Sequence, residues 1–245
     1  MPAKIQLDKV GRAYATPSGP LPVIDGISLT VGEGEFLAIV GPSGCGKTTL
    51  LNIMAGFDAP DAGSVRVDGV PLAGPGPEGV VIWQQGSVFP WLTVQRNLMF
   101  GLRGQDGEKR ATADRYAERV GLRGFERAYP HELSGGMLKR VELARALALK
   151  PDILYMDEPL AALDALTALR MRAEIARILA QERHTCVLVT HDVEEALQLA
   201  ARVVVLSPRP ARIQAVFEVP REGIRDPANP AAARLKAAIL RELGI

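Results

Sequence analysis

The fold of this chain is decided by one continuous stretch, Phe36-Leu37-Ala38-Ile39-Val40-Gly41-Pro42-Ser43-Gly44-Cys45-Gly46-Lys47-Thr48. It begins with an apolar run that follows a turn rich in glycine and glutamate, and it continues into residues 48–55, which have helical character. A buried strand, a glycine-rich loop and a helix in this order bind the phosphates of a nucleoside triphosphate. We therefore predict an α/β fold built around a phosphate loop.

Each residue type in the loop serves the binding of phosphate. Glycines let the backbone N–H groups approach the phosphates without a Cβ in the way. Lys47 supplies a positive charge to the β- and γ-phosphates, and the hydroxyl of Thr48 is expected to bind Mg²⁺. Cys45 stands near the predicted helix start, where the pKa of a thiol can be lowered. We interpret it instead as a small side chain that fills space.

A second glycine-rich motif follows far downstream, Leu133-Ser134-Gly135-Gly136-Met137. It also opens a predicted helix, and a helix start with free N–H groups and a serine hydroxyl is a site for an anion. The phosphate loop already serves one nucleotide. The economical interpretation is that this motif binds the γ-phosphate of a nucleotide held by a second copy of the chain. The sequence therefore predicts a dimer that depends on ATP.

Two acidic residues end the predicted buried strand Ile153–Met156. Neighbouring side chains in a strand point to opposite faces, which suits two separate roles. We assign Asp157 to Mg²⁺, as a direct or indirect partner, and Glu158 to the general base that polarises the attacking water. The alternative is an ordinary acidic turn, and the position of this pair behind a phosphate loop argues against it.

Polar residues also follow two other predicted strands. His191 follows Cys186–Val189, where it can donate a hydrogen bond to a γ-phosphate at the strand ends. Gln84 follows Gly79–Trp83, and a glutamine there can bind Mg²⁺ or the attacking water. Spacing alone makes this second signal weak. We interpret the other two histidines as structural or surface residues.

Composition limits the class of protein. The formal net charge is +1 with acids and bases interspersed, so no basic surface indicates nucleic acid. The two cysteines do not make a disulfide framework, which favours a reducing compartment. The first ten residues lack the apolar core of a signal peptide, and no run approaches the roughly 18 apolar residues of a membrane helix. If the protein works at a membrane, we expect another chain to span it.

The pattern along the chain predicts one domain over residues 1–245, an α/β core interrupted by a helical insert. The core covers residues 1–87 and 150–215, the helical subdomain residues 88–149 with a polar break at 104–107, and a tail residues 216–245. The predicted strands are Ile5–Val10, Phe36–Val40, Gly79–Trp83, Ile153–Met156, Cys186–Val189 and Val203–Leu206, and the tail ends in an amphipathic helix, Ala231–Leu243.

These ordered motifs resemble those of the ATP-binding-cassette (ABC) ATPases, over residues 4–215. The resemblance implies a phosphate-loop, RecA-like ATPase core with an antiparallel β edge and an inserted helical subdomain, which binds ATP and Mg²⁺. It also implies that Tyr14 stacks on adenine, that Gln84 joins catalysis and binds Mg²⁺, and that His191 acts as the switch histidine. The implied nucleotide contacts are Tyr14, Gly41, Pro42, Ser43, Gly44, Cys45, Gly46, Lys47, Thr48 and Thr49, together with Ser134, Gly135, Gly136 and Asp164 for the site shared with the second copy.

Three stretches resemble more narrowly the nitrate, sulfonate and taurine group of bacterial importers: Phe89–Val94, Tyr129–Met137 and Val203–Pro210. That resemblance implies a homodimer docked on integral-membrane permease subunits at the cytoplasmic face of the inner membrane, supplied by a periplasmic solute-binding protein. We expect the apolar cluster Phe89, Pro90, Trp91 and Leu92 to contact the permease. Leu138 and Ala161 depart from the pattern of the family and remove no ligand or base.

Two other functions fit parts of the sequence. A soluble mechanical ABC ATPase acting on nucleic acid or ribosomes would share the motifs, but the near-neutral charge, the single cassette and the lack of a coiled coil disfavour it. A simple phosphate-loop kinase would leave residues 133–137 and His191 unexplained. The sequence does not name the solute, and taurine, alkanesulfonates, nitrate and pyrimidine precursors all stay open.

Overall fold

The computed structural model describes residues 2–161, 163–182, 184–220 and 229–245. Its strands are β1 (Ala3–Thr16), β2 (Gly19–Gly32), β3 (Phe36–Val40), β4 (Ala62–Val67), β5 (Val70–Pro71), β6 (Gly79–Ile82), β7 (Ile153–Asp157), β8 (Thr185–Thr190), β9 (Arg202–Leu206) and β10 (Ile213–Glu218). Its helices are α1 (Lys47–Met54), α2 (Val94–Met99), α3 (Asp106–Arg119), α4 (Gly135–Ala148), α5 (Ala165–Gln181), α6 (Val193–Leu199) and α7 (Pro230–Glu242), with one short 3-10 helix at Pro130–Glu132. The predicted α/β fold class is confirmed.

The phosphate loop follows a strand inside a six-stranded sheet. The strand order is β10-β9-β3-β8-β7-β6. The pair β10–β9 is antiparallel, and the other neighbouring pairs are parallel. Strands β7 and β8 are buried along their whole length, since both faces of the sheet are covered. Ligands of such sheets bind beyond the carboxyl ends of the strands, and the ends of β3, β6, β7 and β8 carry the predicted site.

The hydrophobic core lies in two layers, one on each face of this sheet. Leu37 and Ile39 of β3 face a cluster that also contains α1 and the antiparallel sheet. Ala38 and Val40 face the opposite cluster, which contains side chains of the helices α2 to α7. The alternation of side chains along the strand therefore places α1, which begins at the phosphate loop, between the two sheets.

The predicted antiparallel edge is a separate four-stranded sheet with the order β2-β1-β4-β5. Its first strand extends to Thr16, well beyond the predicted Ile5–Val10, because it pairs with β2 along most of its length. Four register shifts interrupt that pairing, so no continuous alternation marks the strand. The second strand, β2, also lacks a clear sequence signal. It contains Pro20, Pro22 and Gly26, which are poor strand formers.

The predicted helical segment contains α2, α3 and α4. These helices lie between β6 and β7 in the sequence, and they pack against one another. Leu98, Tyr116 and Val141, one from each helix, are buried in the shared core. The predicted polar break overlaps the start of α3, because Gln105 and Glu108 form a capping box there. The boundaries of the helical subdomain at 88–149 and of the two parts of the catalytic core stay predictions.

The C-terminal helix lies one residue from its predicted position. Asn229 caps α7 by accepting a hydrogen bond from the N–H of Ala231, at 2.9 Å. Ile239 is fully buried, and Lys236 pairs with Glu194 of α6. Residues 221–228 of the predicted tail lie outside the described residues. Within the part of the chain that the structure describes, no helix is long and apolar enough to cross a membrane.

Candidate active site

The phosphate loop connects β3 to α1 through glycines in conformations that favour this residue type. Gly46 caps α1 with φ 117°, and a Cβ there would lie 2.7 Å from a methyl carbon of Val23. Lys47 is buried, and its Nζ donates to the carbonyl oxygens of Gly41 and Pro42, at 2.9 and 3.0 Å. The ammonium group therefore lies across the loop, where a bound phosphate can take over its hydrogen bonds.

Cys45 fills the space beneath the loop. Its side chain is buried, and a Cβ added at Gly41 would lie 2.9 Å from the sulfur. Burial raises the pKa of the thiol, so Cys45 is neutral at neutral pH. This supports the interpretation of Cys45 as a small packing residue rather than a reactive thiolate.

The predicted Mg²⁺ ligands Thr48 and Asp157 lie in contact. The hydroxyl of Thr48 donates to the carboxylate of Asp157, with distances of 3.1 and 3.0 Å to its two oxygens. Burial raises the pKa of Asp157, with a hydrogen bond from Thr48 acting in the opposite direction. A hydroxyl and a carboxylate are the oxygen ligands that Mg²⁺ prefers, so this pair fits the ion chemically. When bound, Mg²⁺ neutralises charge on the β- and γ-phosphates.

The three predicted catalytic residues meet at neighbouring strand ends. Glu158 accepts a hydrogen bond from Nε2 of Gln84 at 3.2 Å, and its other oxygen lies 3.1 Å from Nδ1 of His191. Gln84 follows β6, Glu158 follows β7 and His191 follows β8. In the structure the Gln84 amide contacts Glu158, and the binding of Gln84 to Mg²⁺ stays a prediction.

The residues on either side of His191 are fixed by contacts that the sequence analysis missed. Asp192 caps α6 and pairs with Arg172 of α5. Glu195 is buried and accepts a hydrogen bond from the hydroxyl of Thr190 at 2.5 Å. Burial raises the pKa of Glu195 to about 7. The sequence signal was an aspartate three residues before a glutamate, the pattern of a helix start, and it does not reveal that the glutamate is buried.

Tyr14 reaches the start of α1 from β1. Its hydroxyl donates to Asp58 at 2.7 Å and lies 3.5 Å from the hydroxyl of Thr49. The guanidinium of Arg12 lies 4.8 Å from the ring centroid, which is a cation–π contact on one face. The ring is thus fixed beside the phosphate-loop helix, and its stacking on adenine stays a prediction.

The second glycine-rich motif is an exposed helix start. Ser134 caps α4, and its hydroxyl accepts from the N–H of Met137 at 3.3 Å. A Cβ at Gly136 would lie 2.7 Å from the methyl group of Thr167. Asp164 caps the neighbouring helix α5 by accepting a hydrogen bond from the N–H of Thr167. Hydrogen bonding from Thr167 lowers the pKa of Asp164. The structure therefore places Asp164 and residues 134–136 side by side, as two capped helix starts.

Comparisons with known proteins agree with this geometry. The model of the ABC transporter family matches residues 24–161. The chain is 46% identical over 221 residues to the taurine import ATP-binding protein TauB of Chromobacterium violaceum, covering 89% of this chain and 84% of that protein. It is 38% identical over 246 residues to the nitrate import ATP-binding protein NrtD of Synechococcus elongatus, covering 96% of this chain and 90% of that protein.

A solved structure shares the fold. It is the dimeric post-hydrolysis state of the ATP-binding cassette MJ0796 with ADP and phosphate, with a TM-score of 0.76 and 29% identity, covering 88% of this chain and 99% of that one. The chain therefore belongs to the ABC transporter family, and it is an ATPase that uses ATP with Mg²⁺.

Proposed function

We propose that this chain is the energy-coupling ATPase subunit of an importer for nitrate, a sulfonate, taurine or a related small solute. The observation that carries the proposal is its similarity, over most of both chains, to proteins named as taurine and nitrate import subunits. On this proposal the subunit lies at the cytoplasmic face of the inner membrane, bound to permease subunits that a periplasmic solute-binding protein supplies.

The contacts of Glu158 support its role as the general base. The oxygen of a water attacks the γ-phosphorus of ATP, the bond from that phosphorus to the bridging oxygen of ADP breaks, and Glu158 accepts the proton of the water. Gln84 and His191 lie against the two carboxylate oxygens and orient them. Lys47 stabilises the negative charge of the β- and γ-phosphates.

The exposed start of α4 supports a head-to-tail dimer. Ser134 and Gly135 are exposed, and free N–H groups at a helix start favour an anion. We propose that Ser134, Gly135 and Gly136 bind the γ-phosphate held by the phosphate loop of the second copy. Asp164 lies beside them and completes the shared site. ATP then joins the two copies, and its hydrolysis releases them.

An exposed aromatic residue supports the contact with the permease. Trp91 is 70% exposed, so it does not cap the core beneath the helical segment. It lies against Phe89, whose ring also packs on Phe100 with centroids 4.4 Å apart. Phe100 is also 54% exposed, and a contiguous exposed patch of large apolar side chains often marks a partner surface. The cluster begins five residues after Gln84 in the sequence, so a permease bound there would sense the loop that contacts Glu158.

Reconstitution tests the function as a whole. The subunit is co-expressed with the permease and the solute-binding protein encoded beside it, and the complex is placed in proteoliposomes. The proposal predicts ATP-dependent uptake of one solute from a panel of taurine, alkanesulfonates, nitrate and a pyrimidine precursor, and no uptake with Glu158→Gln. A subunit that associates with no membrane protein but binds ribosomes or nucleic acid would instead support the mechanical ATPase.

A further inference from the structure

The loop that carries Gln84 is held by one face of α4. Lys139, Glu142 and Arg145 are spaced three residues apart, so they form a row along the helix. Each of them contacts residues 83–89, which run from the end of β6 to the first residue of the apolar cluster. None of the three belongs to a nucleotide-binding motif of the sequence analysis.

All three N–H donors of Lys139 bind either Glu142 or the loop of residues 83–89. Its Nζ donates to the carbonyl oxygens of Trp83 and Gln84, at 3.5 and 3.2 Å, and to Glu142 at 2.9 Å. An ammonium group has three donors, and these three acceptors use all of them. The side chain is only 10% exposed, so the group is withdrawn from competing water.

Glu142 and Arg145 hold the next part of the loop. Glu142 is almost completely buried and accepts from the N–H of Ser87 at 2.6 Å. The loop approaches it so closely that a Cβ on Gly86 would lie 3.1 Å from the carboxylate. Arg145 donates to the hydroxyl of Ser87 at 2.6 Å and lies 4.9 Å from the ring centroid of Phe89.

We propose that Lys139 and Glu142, supported by Arg145, are positioning residues for ATP hydrolysis, because they fix the backbone on both sides of Gln84 and so hold its amide against Glu158. Lys139 binds the carbonyl of Gln84 itself, while the Gln84 amide contacts Glu158 at 3.2 Å. The inference rests on the proposed catalytic role of Gln84. Helix α4 would then have two roles, since its start at Ser134 is also proposed to bind the γ-phosphate of the second copy.

Lys139→Met tests the inference, because methionine keeps much of the apolar stem and loses the three donors. We expect hydrolysis at saturating ATP to slow about 10- to 100-fold, the usual effect of a misplaced catalytic group, with little change in KM. Lys139→Arg restores donors and should recover most of the rate. The matched control is Arg140→Met on the same helix. Arg140 forms its ion pair with Glu174 of α5 and not with the loop that carries Gln84.

A double-mutant cycle separates positioning from mere stabilisation of the fold. If Lys139 acts through Gln84, the combination of Lys139→Met with Gln84→Ala is no slower than Gln84→Ala alone. Losses that multiply, or a Lys139→Met enzyme as fast as the Arg140→Met control, would overturn the inference. If Gln84→Ala itself hydrolyses ATP at the wild-type rate, the catalytic assignment of Gln84 fails and takes the inference with it.

A second variant covers the case in which Lys139→Met does not fold, since removing one partner of a buried ion pair is strongly destabilising. Ser87→Ala lies on the loop and removes the acceptor of Arg145 without changing α4. The protein should still fold, with an unfolding temperature only modestly lowered by the lost acceptor, and hydrolysis should slow several-fold. A Ser87→Ala enzyme with the wild-type rate would then contradict the inference.

Discussion

Glu158 is held in a backbone conformation that few residues other than glycine adopt. Its φ is 44°, and its N–H donates to the carbonyl oxygen of Val189 at 2.8 Å. Such a conformation costs on the order of 1–3 kcal/mol and persists where the surrounding structure holds it. Here the neighbouring strand β8 holds it, and the side chain meets both Gln84 and His191. Strain at the residue scale therefore coincides with the proposed base.

Replacing Glu158 by glutamine keeps the size of the side chain and removes the base. We expect Glu158→Gln to bind ATP normally and to hydrolyse it roughly 10²- to 10⁴-fold more slowly, the usual contribution of a positioned base. Single-turnover hydrolysis and nucleotide binding, measured on the same sample, check this. Turnover close to that of the unmodified protein would contradict the assignment.

Glu195 makes stability depend on pH. Burial raises its pKa from 4.5 to about 7, so the folded protein binds one more proton than the unfolded chain between these values. Its contribution is therefore fully present below pH 4.5 and is lost as pH rises through 7, by up to the order of 3 kcal/mol. Denaturant unfolding at pH 5 and pH 8 should show this loss, and Glu195→Gln should reduce it. Glu194→Gln, on the exposed neighbour, is the control that should leave it unchanged.

At the scale of elements, the segment after β6 joins the active site to a surface. Gln84 contacts Glu158 at one end of the segment, and Trp91 is exposed at the other. Asn97 of α2 is completely buried and bonds the backbone of Phe89 and Leu92, which fixes this far end. The segment is therefore anchored by α2 as well as by α4.

Trp91→Glu tests the contact of this surface with the permease. A charge in an apolar contact is costly, so we expect the variant to lose co-purification with the permease and solute uptake. ATP hydrolysis by the isolated subunit and its thermal unfolding should persist. Val70→Glu, at a comparably exposed apolar residue of the antiparallel sheet, should leave the complex intact. If the Trp91→Glu subunit still forms the complex and supports solute uptake, the contact with the permease lies elsewhere.

Elements whose signal is local could be predicted from the sequence, and elements made by distant pairing could not. Residues 36–40 form β3 as predicted, and α1 starts within one residue of its predicted position, because an apolar run and a glycine loop mark both ends. The hairpin of β1 and β2 depends on pairing with shifted register, which leaves no simple alternation. In the site, the motif residues were predicted, whereas Lys139 and Glu195 were not, since their roles depend on contacts with other elements.

At the scale of the whole molecule, the proposed function requires that one chain carries two unlike halves of a nucleotide site. The phosphate loop with Asp157 and Glu158 is one half, and the exposed start of α4 with Asp164 is the other. The related cassette of known structure is a dimer with ADP and phosphate bound. On this proposal a second copy brings the two halves together, and the nucleotide links the two copies.

Sedimentation of the Glu158→Gln protein tests this central claim most directly. The substitution slows hydrolysis, so ATP stays bound long enough for the dimer to be measured. We expect monomers without nucleotide, dimers with ATP and Mg²⁺, and monomers under both conditions when Ser134→Arg is added. Ser64→Arg, on the exposed face of β4, should leave the dimer intact. A dimer that forms regardless of nucleotide and survives Ser134→Arg would contradict a nucleotide-linked dimer.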